Sequence, residues 1–216
     1  SGRSGLRELV RRFLRWRVGA RWYAVALLLG PLLVAAVLLG LSQLSSEYVP
    51  GIFTADHKLA LVLFGISWGL LGGGLLEELG WTRFATPRLR TRHGAVATGL
   101  IVGLLWGAWH FLIAFWSSRG LSGETSLANF VAGFLIFYVG ALPAFRVLMV
   151  WVYDRTESLS LAMLMHASLS SSTLILQPQA TGVAYWTWNL VLVAALWTVV
   201  AATLVIRHRL HSRRSP

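Results

Sequence analysis

The chain has 216 residues, 56% of them hydrophobic and only 12% charged, whereas about 25% of a soluble domain is charged. That balance excludes a soluble globular protein and predicts an all-α polytopic membrane bundle, one domain with short tails. The net charge of +11 sits in arginines at the chain ends and in short loops, which membrane topology explains and nucleic-acid binding does not. With no cysteine, disulfides and cysteine-ligated metals are excluded.

Residues 1–21 hold seven arginines interleaved with Leu6, Leu9, Val10 and Phe13 at helical spacing, which predicts a basic amphipathic helix on an anionic leaflet. A start at Ser1 without Met points to a trimmed chain. The following apolar run is too long, and lacks the small-residue site, for a cleavable signal. Trp22–Leu41 is predicted as span one, with a kink at Pro31, and Leu59–Pro87 as span two although it contains Glu77, Glu78 and Arg83. After the basic loop with Arg88, Arg90 and Arg92, Gly94–Trp116 is span three, where Gly99, Gly103 and Gly107 mark a face that another helix can approach closely. Leu127–Tyr153 is span four, Ser158–Leu176 is a polar span five and Ala184–Ile206 is span six. The membrane domain is therefore residues 22–206, followed by a basic tail, 207–216.

Placing both termini and the loops after spans two and four in the cytoplasm leaves only Lys58 and Arg119 of the 19 basic residues outside. Six spans satisfy this count; five or seven do not.

Within the spans fall two of the eight acidic residues, Glu77 and Glu78, and two of the six histidines, His110 and His166. A charge near the bilayer centre costs about 2.5–3.5 kcal/mol on insertion scales, so adjacent glutamates there indicate a functional site. At about 1.5 Å per residue, Glu77 lies roughly 17 Å from Arg88, His110 roughly 24 Å from Gly94 and His166 roughly 12 Å from Ser158, depths compatible with one site fed by three helices. Arg83 is then expected inside the membrane or in a polar cavity. Neighbouring helix residues point about 100° apart, so one glutamate should meet the histidines while the other braces the helix or pairs with Arg83 or Thr82. Trp106 and His110, like His166 and Ser170, share a helix face.

A glutamate with two imidazoles suits hydrolysis, either through a divalent metal that acidifies water or through water activated directly by the carboxylate. Carboxylate and histidine chains also build transport relays, but no inverted repeat relates residues 22–116 to 127–206, which disfavours a small transporter. The triple glycine Gly72-Gly73-Gly74 reads as close packing or a helix distortion, and the serines at 170–172 as catalytic or packing groups with equal weight.

Glu77-Glu78-Leu79-Gly80-Trp81-Thr82-Arg83-Phe84, Trp106-Gly107-Ala108-Trp109-His110 and His166-Ala167-Ser168, in this order and spacing, resemble the CPBP family. These are intramembrane proteases of the CAAX-protease and bacteriocin-processing type, related to type II CAAX prenyl endopeptidases. The resemblance covers roughly residues 59–172. It implies an endopeptidase acting on a membrane-associated protein or peptide, in the plasma membrane of a prokaryote, with its site opening to the cytoplasm. It further implies Glu77 as the group that activates water, Glu78 as its support, His110 as a holder of water or metal and His166 as oxyanion donor or ligand. Zn2+ on Glu77, His110 and His166 is implied by the resemblance alone, and Gly80 is expected to let the helices close around the site. Two positions depart from the family pattern: Thr82 stands where an arginine is usual, and Ser170 where an asparagine is common. Ser170 raises the alternative of a non-catalytic scaffold with an impaired site.

Overall fold

The computed structural model describes residues 2–117 and 126–212, and among them every regular element is helical. Helix α1 is Gly2–Phe13 and α2 is Ala20–Ser42, unbroken across Pro31. Helix α3 runs Lys58–Arg90, α4 Ala95–Trp109, α5 Phe111–Phe115, α6 Leu127–Thr156, α7 Leu159–Leu176 and α8 Gly182–Ser212. Five of these, α2, α3, α6, α7 and α8, are long and apolar enough to cross a membrane. The expected third span is divided: α4 has 15 residues and continues past His110 as α5.

The division has a local cause. The His110 amide is shared between Trp106 O and Gly107 O, at 3.3 and 3.1 Å, while the His110 ring also bonds Trp106 O at 2.9 Å. A side chain competing for a ladder carbonyl loosens the helix at that turn.

Helix ends follow the sequence. Ser158 caps α7 by accepting from Leu161 N at 3.2 Å, and Glu157, with φ of 50°, stops α6 one residue earlier. Because lipid is as apolar as a leucine side chain, close packing holds the bundle together. Helix α6 is surrounded, with Leu142–Val150, Val152 and Tyr153 all buried, and it packs on α4 and α8. Helix α7 packs on α2 and α3. Phe145, Met149, Leu161, Met165, Trp188 and Leu192 form part of the shared core.

The glycine face of span three lies against α6 as expected. A Cβ on Gly99 would come within 2.5 Å of Val147 Cα, and one on Gly103 would overlap Pro143 Cα. Gly80 differs from expectation: a Cβ there meets nothing within 4 Å, so it closes no helix contact.

Helix α1 crosses the end of the bundle that carries the arginine-rich turns. Arg12 Nη1 donates to the Tyr153 hydroxyl, Ser160 Oγ donates to Phe13 O at 2.7 Å, and Arg15 pairs with Glu157.

Candidate active site

The glutamate pair sits where α3 changes its winding. Gly69–Glu77 is π-helical, Glu78–Gly80 returns to α geometry and Trp81–Ala85 is π-helical again. Such bulges frequently mark functional sites. The glycines permit it: a Cβ on Gly73 would lie 2.6 Å from His166 Nε2, and one on Gly74 2.6 Å from Met163 O. The triple glycine is thus both a distortion and a close contact with α7.

The two glutamates take opposite parts. Glu78 is 0% exposed. It accepts from Arg146 Nη1 and Nη2 at 2.8 and 2.9 Å, from His166 Nδ1 at 2.6 Å, and from the Thr82 hydroxyl. Its charge is fully engaged by a bidentate guanidinium and an imidazole.

Glu77 faces a cavity of about 710 Å³, a volume in the range of ligand pockets. Its Oε2 accepts from Trp106 Nε1 at 2.6 Å, and its Oε1 stands 3.8 Å from His110 Nε2. Since His110 Nδ1–H donates to Trp106 O, Nε2 of the neutral ring carries a lone pair. Two acceptors at this spacing do not bond each other; they suit one water that donates to both.

Trp106 ties the two halves together. Its ring lies edge-on to His166 with centroids 4.7 Å apart, and the Arg146 guanidinium sits 4.3 Å from the ring centroid. His166 and Ser170 line the same cavity, as do Tyr138, Trp188 and Asn189.

All four polar residues expected to converge do so, though split: Glu77 with His110, and Glu78 with His166. Arg83 is set apart. It is half-buried, lines a smaller cavity against α1 and donates from Nη2 to Gly5 O at 3.2 Å. The cation on Glu78 is instead Arg146. The signal was available, since Arg146 is a lone charge inside span four and an intramembrane arginine needs an anionic partner.

A catalytic zinc takes three protein ligands at about 2.0–2.2 Å. No group of three His, Asp or Glu side chains among the described residues could hold a metal ion. Glu77 and His110 offer two convergent donors, and the donors do not close a zinc site.

The family model described as type II CAAX prenyl endopeptidase Rce1-like matches residues 58–172, more than half of the chain. The chain belongs to this family. The matched segment contains Glu77, Glu78, His110, Arg146, His166 and Ser170, and excludes α1, α2 and α8. The chain is also similar to CAAX prenyl protease 2 of Methanococcus maripaludis, with 26% identity over 147 residues, which cover 66% of this chain and 51% of that protein. It thus spans about half the length of that relative. Membership of the family and the long apolar helices make the protein an integral membrane protein.

Proposed function

We propose that the protein is an intramembrane endopeptidase in which Glu77 activates the attacking water. The observation that carries this reading is the approach of two acceptors, Glu77 Oε1 and His110 Nε2, to 3.8 Å at a cavity wall, while Glu78 is spent on Arg146 and His166.

In the proposed reaction a water held between Glu77 and His110 attacks the peptide carbonyl and Glu77 takes its proton. The carbonyl oxygen becomes an oxyanion. His166, whose Nδ1 is held against Glu78, lines the cavity and is the group proposed to stabilise that oxyanion. Glu77 then returns the proton to the departing amine, which balances the hydrolysis. Trp106 holds Glu77 in place, and Arg146 and Thr82 fix Glu78. No step is routed through zinc.

The proposed substrate is a membrane-associated protein or peptide, and the proposed setting is the plasma membrane of a prokaryote. Both termini are assigned to the cytoplasm by the arginine distribution, and the site is proposed to open to that side. A second reading, a non-catalytic scaffold, is favoured by Ser170 at the cavity wall, where a hydroxyl provides one donor in place of an amide's two.

The test is cleavage of a library of membrane-tethered peptides by the protein in lipid, alongside Glu77→Gln and Ser170→Asn, with and without a chelator. Cleavage by the wild type that is lost in Glu77→Gln supports the protease, and activity that survives the chelator supports water activated by glutamate alone. No cleavage by the wild type or by Ser170→Asn sinks the protease reading in favour of the scaffold.

A further inference from the structure

A second cavity, of about 380 Å³, lies between α1 and the basic end of α3. Its wall combines two guanidiniums, Arg83 and Arg88, with the apolar side chains of Leu6, Leu9, Leu79 and Phe84. No carboxylate among the described residues lines it. The acid on α1, Glu8, is already claimed by Arg11 and Arg12, which pull its pKa down to about 2.

The two arginines are held in different ways. Arg88 lies 3.5 Å from the centroid of the Phe84 ring and donates to Phe84 O at 2.9 Å, which keeps its charge at the mouth of the cavity. Arg83 gives Nη2 to Gly5 O, and its Nε is buried with no partner among the described residues. A buried donor without an acceptor costs free energy, and here it belongs to a cation that lines an open cavity. Around it, Leu6 is 60% exposed and Phe84 58% exposed, so the apolar wall is also uncovered.

Uncompensated arginine beside uncovered apolar surface, between an amphipathic helix and the basic end of a span, has the chemistry of an anionic lipid site. We infer that this cavity binds one anionic phospholipid, its phosphate between Arg83 and Arg88 and an acyl chain along Leu6, Leu79 and Phe84. The phosphate meets the charges of both guanidiniums, whose forked donors suit its oxygens. The lipid joins α1 to α3 independently of any hydrolytic chemistry.

Native mass spectrometry of the full chain from detergent micelles tests this, with titrations of phosphatidylglycerol, phosphatidylcholine and inorganic phosphate. The wild type should retain one phosphatidylglycerol in preference to phosphatidylcholine, and Arg83→Gln/Arg88→Gln should lose about tenfold or more of that affinity. Arg92→Gln, a neighbouring exposed arginine outside the cavity, should match the wild type. Should the double variant fold poorly, Arg88→Gln alone leaves the Arg83–Gly5 contact and should still weaken retention severalfold. Equal retention of both lipids by the wild type, or undiminished retention by the arginine variants, overturns the site. Displacement of the lipid by inorganic phosphate overturns the lipid assignment in favour of a free anion.

Discussion

Arg146 grips Glu78 through both terminal guanidinium nitrogens, at 2.8 and 2.9 Å, with both side chains 0% exposed. Removing one partner of a buried pair strands the other charge, at a cost of about 3–5 kcal/mol. Arg146→Met should therefore lower the midpoint of thermal unfolding in detergent strongly. Arg146→Met/Glu78→Met should recover part of that loss, because no charge is left unpaired, and a double variant as unstable as the sum of the singles would contradict the pairing.

The contrast between the glutamates gives a second expectation. Glu77→Gln keeps the shape of the cavity wall and the Trp106 bond, so stability should change by less than about 1 kcal/mol while peptide cleavage falls by about 10²–10⁴-fold. Glu78→Gln should do the reverse first, lowering stability by weakening the hold on Arg146 and His166. Melting curves and initial rates on the same preparations separate the two effects.

Trp106→Phe removes the indole N–H on Glu77 Oε2 yet keeps a ring under Arg146 and beside His166. The expected result is a fall of about 10-fold or more in kcat with KM little changed, since the bond orients the group that takes the proton. An unchanged kcat would mean that Glu77 is positioned without it.

Glycine substitutions test the packing. Gly103→Leu forces side-chain atoms into Pro143 on α6, and an overpacked contact of this kind costs about 1–3 kcal/mol or more. Gly80→Ala, which meets nothing within 4 Å, should be neutral or should stabilise α3 by up to about 1 kcal/mol through its better helix propensity. Unfolding midpoints of the two variants provide the comparison.

The N-terminal helix carries a pH expectation. Glu8 is held at about 2, below its ordinary 4.5, by hydrogen bonds from Arg11 and Arg12. A depressed carboxylate stabilises the folded form fully above pH 4.5 and loses that contribution as pH falls toward 2. Amide hydrogen exchange in α1, corrected for its intrinsic pH dependence, should accelerate over that window in the wild type and less so in Glu8→Gln.

Much of this was legible in one dimension. A bilayer obliges each spanning segment to satisfy its own backbone hydrogen bonds, so runs of apolar residues broken by charged turns mark the helices to within a few residues: Leu127–Tyr153 was expected where α6 covers Leu127–Thr156. The cost of charge in lipid singled out Glu77, Glu78, His110 and His166, and four-residue glycine spacing marked the face of α4 that meets α6. These signals are local, or depend only on the contrast between side chain and lipid.

Facing and partnership needed the tertiary structure. Rotation per residue along α3 departs from the α-helical value through its two π-helical stretches, so no count from Gly69 onward fixes which glutamate meets which histidine. Arg146 becomes the partner of Glu78 only because α6 brings it across the bundle to α3, 68 positions away in the chain. The sequence by itself determined which groups were too costly to leave unpaired in a membrane; the packing of the helices decided their partners, because partnership depends on distance across the bundle and not along the chain.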